Sequence, residues 1–374
     1  MAKSITNPKP RYLSLDVLRG ATVAFMIIVN TPGSWTYVYA PLKHAPWHGF
    51  TVTDLVFPTF LFVVGNAMSF GMDKLKLAGS EAFLKKVFSR TIKIFLIGLF
   101  LNIFPFVKWI EGSLVLKDFS EIRIWGVLQR IAVCYMFANL LIYYFKPKIV
   151  LLISAIILLG YWGVMNAFGD YTLEGNAANK LDLMLLSIKN LYKGYGIPFD
   201  PEGLLSTFPA TVNVILGYFA GVFIQKNGNT KNAVYKLIGM GIAFLFVALG
   251  WDVLFPINKP IWTSSYVLYT VGWDLLLIAA LILIIEIWKV KKWTYFFEVF
   301  GKNPLFIYAL SGMIVRLMHI IYIGGENMHT KLFDGVFMRI LSPMNASLAY
   351  AISYMLILWL IGLYLDRRKI YVKV

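Results

Sequence analysis

Three things are scarce in this chain. Its 374 residues include one cysteine, Cys134, and four histidines, and only 14% of positions are charged, 19 acids against 35 bases. A lone cysteine excludes an internal disulfide and says nothing about redox compartment. Few histidines leave little for a metal centre: His44 and His48 are four apart, but Pro46 between them breaks a regular turn and no third ligand is near in sequence. No metal is therefore expected. So little charge, with 59% hydrophobic residues and a mean hydropathy of +0.70, excludes an ordinary soluble fold. Repeats, heptad runs and low-complexity tracts are not evident. Neither is a cleavable signal peptide, because the first apolar stretch follows a polar, basic leader over residues 1–10 and is long enough to span. A net charge of +16 would suggest nucleic acid in a soluble protein. Here the bases lie in short clusters between apolar stretches, as juxtamembrane anchors do, and no nucleic-acid partner is expected.

What is present is one apolar run after another. A span needs about 20 mostly apolar residues, and about ten stretches qualify: 16–36, 50–72, 88–107, 123–145, 149–168, 204–225, 233–254, 266–288, 303–322 and 346–365. The segment 292–301 reads as an interfacial aromatic helix, and 169–203 as a long outer loop. The expected fold class is all-α, a polytopic transmembrane helical bundle of about ten spans forming a single domain over residues 1–374. An even number of spans puts both termini on one side. Lys and Arg concentrate in the loops of that side, from Lys3, Lys9 and Arg11 through Lys85, Lys86 and Arg90 to Arg367, Arg368, Lys369 and Lys373. Both termini are thus assigned to the cytoplasm, the chain to the inner (cytoplasmic) membrane as a multi-pass protein, and His44 and His48 to the outer face.

Several polar residues fall where hydrocarbon should not tolerate them. Asp16 and Arg19 share one helical face at the inner mouth of the first span, and Asn30 lies near its outer end, roughly 21 Å from Asp16 at 1.5 Å per residue. Asp54 admits two readings: an acid complementing the dipole at a helix start, or a functional acid whose insertion is costly unless it meets a partner. In "RIWGVLQRIAVCYM", Arg123 and Arg130 fall on one stripe of the fourth span with Gln129 alongside, and Arg130, about two turns deep, must meet an acid, a phosphate or a carbonyl. "GIPFDPEGLLSTFPA" brings Asp200 and Glu202 to the outer start of the sixth span. "FPINKPIWTSSY" offers Asn258, Lys259 and Trp262, donors and an aromatic plate that suit a sugar. "FGKNPLFIY" sets Lys302 and Asn303 before Pro304 at a cytoplasmic helix start, a phosphate cradle in principle.

Two function classes remain. A sugar or amino-sugar transporter explains intramembrane polar groups and needs no histidine at the rim. A transmembrane group transfer, with a cytoplasmic donor and an outer acceptor meeting at a histidine, uses one directly, since an unperturbed pKa near 6.5 lets histidine accept a proton at neutral pH. No nucleophile-elbow serine motif is present.

The stretches "SLDVLRG" (14–20), "IIVN" (27–30), "KHAPWHGFTVTDLVFPTFLFVVG" (43–65), "RIWGVLQRIAVCY" (123–135), "FDPEGLLSTFPATVNVILGYFAG" (199–221) and "PINKPIWTSSYV" (256–267) resemble the heparan-α-glucosaminide N-acetyltransferase family of the lysosomal membrane and its bacterial relatives. The resemblance runs in order from residue 11 onward. "LDVLRG" is similar, more distantly, to the start of the wider membrane acyltransferase superfamily. The resemblance implies an acetyl-CoA donor as co-substrate, an amino-sugar acceptor such as glucosamine or a glucosamine-terminated saccharide, and the bilayer as partner; it is compatible with a homodimer. It matches the family's active-site histidine to His44 and its catalytic-site asparagine to Asn30, across a loop a few residues longer here. His48 stands where the lysosomal enzyme has asparagine. On this reading Asn30 contacts the thioester carbonyl, His44 accepts a proton or carries the acyl group, and Asp54 orients it. Arg19, Arg130, Gln129, Lys302 and Asn303 would hold the donor, and Trp47, His48, Arg123, Asp200, Glu202, Asn258, Lys259 and Trp262 would line the acceptor pocket.

Overall fold

The computed structural model describes residues 12–372. The expected leader and the anchors Lys3, Lys9, Arg11 and Lys373 lie outside the described residues. The architecture is all-α. Helix α1 is Leu13–Asn30, α2 Val52–Leu77, α3 Ser80–Ile103, α4 Val127–Tyr144, α5 Pro147–Phe168, α6 Ala177–Leu185, α7 Thr207–Asn227, α8 Lys231–Asp252 and α9 Ser264–Leu281, extended by a π turn to Ile287. Next come α10 Thr294–Lys302, α11 Pro304–Ile320, α12 Met328–Leu332 and α13 Pro343–Arg367. Two small antiparallel hairpins, β1–β2 (Val107–Ile110 with Ser113–Leu116) and β3–β4 (Tyr322–Ile323 with Glu326–Asn327), lie between helices.

Eight of these helices are long and apolar enough to cross a membrane, so the chain is a multi-pass membrane protein. Helices α10 and α11 pass that test only together and are bent by 82° at Asn303, so α10 turns off the axis of α11, where an interfacial helix was expected. Helix α3 falls short because Lys85, Lys86, Arg90 and Lys93 occupy its first 14 residues. It is still 24 residues long, burying Phe83, Val87, Thr91, Ile94, Gly98 and Leu101 on one face while Phe88, Ile92, Leu96 and Phe100 face outward. An outward apolar stripe with cations gathered at one end is how a span with snorkelling bases looks.

Local chemistry sets the helix ends. Proline opens α5, α11 and α13, where a missing N–H costs nothing. Thr230, Thr263 and Asn176 cap α8, α9 and α6 with side-chain oxygens. Helices α2 and α7 are the most buried spans and α5 and α8 the most exposed. The α2–α7 pair packs backbone to backbone: a Cβ on Gly65 would sit 1.8 Å from the Val214 oxygen, and one on Gly217 2.0 Å from the Phe62 oxygen. Without a hydrophobic drive between helices in lipid, such close small-residue contacts hold the bundle together.

Three expectations change. The first span ends at Asn30 rather than residue 36, because the chain leaves the helix at Thr31 and Pro32. The fourth helix starts at Val127, so Arg123 and Arg130 do not share a helical stripe. Residues 122–126 run extended instead, with the Asn102 amide donating to the carbonyls of Arg123 and Trp125 at 2.8 and 3.2 Å. The 169–203 segment is no open loop either, since it contains α6 and buries Asn176, Asn179 and Asp182.

Candidate active site

The loop between α1 and α2 ends in a capping box, Thr51 with Asp54. One oxygen of Asp54, Oδ2, accepts from the Thr51 and Ala45 backbone N–H groups, both at 3.0 Å. The other, Oδ1, lies 2.6 Å from His44 Nδ1. Asp54 therefore caps the helix through one oxygen and meets His44 through the other. A carboxylate only accepts, so His44 Nδ1 carries the hydrogen, and in the neutral ring Nε2 keeps its lone pair. The acid is 1% exposed, whereas the histidine side chain is 47% exposed. Tyr266 fixes the same turn by donating its hydroxyl to the Asp54 carbonyl at 2.6 Å.

Lys259 completes the cluster. Its Nζ lies 3.1 and 3.4 Å from the two ring nitrogens of His44 and 3.6 Å from Asp54 Oδ1. Since Nδ1 already donates to Asp54, the ammonium rests against the ring edge. Burial pulls the Lys259 pKa below its ordinary value, against the pull of Asp54 and Glu202. Asn258 next to it is buried, accepts from Ile261 N–H at 3.0 Å and donates to His48 Nδ1 at 3.2 Å, so it builds the loop rather than facing a ligand. Burial, opposed by Asp252, lowers the His48 pKa. Trp47 donates its indole N–H to the Tyr171 carbonyl at 2.7 Å and packs on Tyr195 and Phe199.

Trp262 is not the open aromatic plate expected of it. It is 1% exposed, donates to Asn213 Oδ1 at 3.0 Å and packs edge-on against Phe57 and Tyr266. The Arg130 guanidinium lies 5.0 Å from its ring centre. Of the partners foreseen for the fully buried Arg130, a carbonyl is the one found: Gly203 O at 3.2 Å, with the Ser206 hydroxyl beside it. It thus holds the 200–206 segment through Nη2, while Nε and Nη1 have no hydrogen-bond partner among the described residues. Arg123 grips the same segment, bonding Asp200 with two nitrogens at 2.9 and 2.6 Å, meeting Glu202 and stacking on Tyr192 at 4.5 Å. Burial works against its charge, yet Glu202 and Asp200 hold its pKa above the ordinary value. Asp182, behind this segment, accepts from Leu204 N–H at 3.0 Å, and burial, with Asp200 adding, pushes its carboxyl up to about 7.

Cavities run along the groove between α1, α3, α4 and α11. At the end near Arg19 about 130 Å³ is lined by Arg19, Arg90, Ile94, Tyr135 and Pro304 among others. Further out, about 330 Å³ is lined by Asn30, Asn102, Gln129, Tyr308, Ser311 and Arg316. A third, of about 530 Å³, shares Asn30, Val315 and Arg316 with the second and opens outward past Lys108, Lys117 and His319. Glu202 is within electrostatic range of both Lys259 and Tyr308. No hydrogen bond joins Asn30 to His44 among the described residues. Arg19 pairs with Asp16 at 2.6 Å. The expected phosphate cradle is otherwise engaged: Lys302 binds Asp366 at 2.7 and 2.8 Å, and Asn303 ties down residues 370–372.

The sequence profile described as "Heparan-alpha-glucosaminide N-acetyltransferase, catalytic" matches residues 11–255. The chain belongs to this family. Its relatives include the human heparan-alpha-glucosaminide N-acetyltransferase, 26% identical over 80% of this chain and 52% of the relative, and the mouse protein of that name, 25% identical over 80% and 53%. The chain thus spans about half the length of the curated relatives it matches.

The N-acetyltransferase-family match ends at residue 255, and it takes in Asn30, His44, Asp54, Arg123 and Glu202. Lys259, Arg316 and His319 lie beyond it. Arg316, His319 and Asn102 escaped the sequence reading, and Arg90 was read only as an anchoring base. The signal for the first two was present: "MIVRLMHI" sets a cation and a histidine three apart, hence on one face, inside an apolar stretch.

Proposed function

We propose that this chain is a transmembrane N-acetyltransferase, moving an acetyl group from cytoplasmic acetyl-CoA to the amine of a glucosamine unit on the outer face of the inner membrane. The observation that carries the reading is the His44–Asp54 pair, whose 2.6 Å bond fixes the ring through Nδ1 and turns Nε2, with the Lys259 ammonium 3.4 Å away, to the half-exposed end of a membrane bundle. The line of cavities along α1, α3, α4 and α11 supports it. With ten spans and both termini in the cytoplasm, the Arg19–Arg90 cavity lies at the donor's side and Asn30 at the acceptor's. Eleven residues of α1 separate Arg19 from Asn30, roughly 16 Å. Only an extended thioester arm need cover that distance, while the donor phosphates, costly to bury in hydrocarbon, stay by Arg19 and Arg90.

At the outer end the Asn30 amide donates to the thioester carbonyl as negative charge develops there. His44, held in one tautomer by Asp54, either accepts the amine's proton or takes the acyl group on Nε2 first. Arg123 and Arg130, by gripping the 200–206 segment from α4 and its approach, keep Glu202 facing Lys259.

The test is vectorial. Proteoliposomes loaded with acetyl-CoA and bathed in glucosamine should form N-acetylglucosamine outside, and His44→Ala should abolish it. Absence of product from wild-type protein sinks the reading. Uptake of labelled sugar without acetyl-CoA, unaffected by His44→Ala, would support a transporter instead.

A further inference from the structure

The chain's other two histidines meet at the outer end of α11. We propose that His319 is the general base that takes the proton of the acceptor amine, and that the outer cavity it lines seats the acceptor's amino-sugar end. The proposal rests on the acyl-transfer reading above and adds a residue and a location to it.

His319 Nδ1 lies 2.9 Å from the Val315 carbonyl. A carbonyl only accepts, so Nδ1 carries the hydrogen and Nε2 of the neutral ring keeps its lone pair. The ring packs on His329 with centres 4.5 Å apart; His329 is itself bonded to the Pro32 carbonyl and lies 4.8 Å from the Tyr350 ring. The imidazole is thus oriented by its own helix and by α12 together. It lines the cavity of about 530 Å³ that also contains Asn30, where the oxyanion contact is assigned. That volume admits a pyranose with room for a neighbouring unit. Trp109 and Tyr322, with centres 4.9 Å apart and edge to face, offer aromatic surface for a sugar's C–H face, and Trp109 is pinned by its N–H bond to the Ile320 carbonyl at 2.8 Å.

The charge around the cavity favours the reactive form of an amine. Arg316 from α11 and Lys108 and Lys117 from the β1–β2 hairpin and its exit line it, and among the described residues no carboxylate does. Behind His319 stand His329 of α12, Asp334 of the turn that follows, and the Tyr350 hydroxyl of α13, with Tyr322 at the rim. Neighbouring cations disfavour an ammonium ion and shift the bound acceptor towards its free base. His44, by contrast, has the Lys259 ammonium 3.4 Å from Nε2.

The amine nitrogen attacks the acyl carbon and an N–C bond forms. The bond from that carbon to its carrier, Nε2 of His44 acylated by the thioester in a preceding step that releases CoA, breaks, its electron pair leaving with that nitrogen. The proton lost by nitrogen passes to His319 Nε2 and from there to the departing atom or to water. The products are an amide and a protonated carrier.

The test compares the full-length wild type with His319→Ala and His319→Gln, using acetyl-CoA and glucosamine from pH 6 to pH 9. We expect kcat/KM near neutrality to fall about 10²- to 10³-fold in both variants. The deficit should shrink as pH rises and solvent deprotonates the amine, the KM for acetyl-CoA should hold, and added imidazole should restore part of the rate. Wild-type kcat/KM in both variants overturns the proposal. So does a deficit equal at every pH and deaf to imidazole, the mark of a structural role. If the wild type acetylates no amine at all, the acyl-transfer reading falls and takes this proposal with it; wild-type turnover with indifferent variants removes the proposal alone.

Discussion

Asp54 and Asp366 each meet a lysine, at opposite faces of the bundle, and the two encounters differ in kind. Asp366, in the last turn of α13, is held by Lys302 through both oxygens at 2.7 and 2.8 Å, with the Tyr295 hydroxyl at 2.9 Å and that of Tyr371 at 3.3 Å. An acid at a helix C-terminus opposes the dipole, and the cation offsets it. Every group there is consumed within the cluster. Asp54 sits in a first turn, where the dipole favours it, and its oxygens go to a helix cap and to a histidine before Lys259 arrives at 3.6 Å. The pair that is complete clamps a helix end; the pair left loose keeps a ring nitrogen and an ammonium available to a ligand.

The sharpest way to break this contrast is at His44. His44→Ala should lower acetyl transfer by about 10²–10⁴-fold while the protein stays folded, because the histidine is largely exposed and packs little. Asp54→Asn should cost as much in rate, since an amide can present its N–H to Nδ1 and invert the tautomer. It should also weaken the start of α2 by roughly 1 kcal/mol through the cap. Initial rates with thermal unfolding in detergent separate the two effects; an Asn variant as active as wild type would make Asp54 a cap and nothing more.

Much of this was legible in the sequence, for local reasons. The spans follow from runs of apolar residues, and the His44–Asp54 pairing bridges only ten positions across one loop. What stayed hidden is long-range. Lys302 looks like a phosphate ligand until α13, 64 residues later, brings Asp366 to it. Trp262 reads as a sugar plate because its loop is polar, yet Asn213 of α7 and Arg130 of α4 draw the ring inward. Gly126 and the Asn102 bonds delay α4, so Arg123 leaves the helix that its apolar neighbours advertise. Periodicity reports which face of a helix is buried; it carries no information about which distant side chain waits there.

Asp182 extends the comparison to an acid with no cation in salt-bridge reach among the described residues. Its folded carboxyl titrates near 7, against about 3.9 in an unfolded chain. A raised acid pKa means that the folded state holds the proton more tightly, so ionisation favours unfolding. The penalty is absent below about pH 4, grows as pH rises towards 7, and is constant above it. Asp182→Asn removes the titration while its amide oxygen can still accept from Leu204 N–H. The substitution should therefore stabilise the protein by roughly 2–4 kcal/mol at pH 8 and by little at pH 4. Apparent melting temperatures of both proteins across that range check the sign; a gain that does not grow with pH would show the carboxyl to be ionised without penalty.

The smallest effects come from the lysines themselves, and they should cross over. Lys302→Met strands Asp366 at a helix C-terminus. Because about a quarter of the lysine side chain is exposed and solvent screens the pair, the loss should be near 1 kcal/mol of stability, with acetyl transfer within about twofold of wild type. Lys259→Met leaves Asp54 with its cap and its histidine, so unfolding should barely move. Losing the ammonium beside His44 should nevertheless lower transfer about tenfold, the order expected when one electrostatic contact to developing charge is removed. Measuring rate and melting temperature on both variants puts the two lysines on perpendicular axes. Equal effects on both axes would mean that the loose pair and the closed pair do the same job.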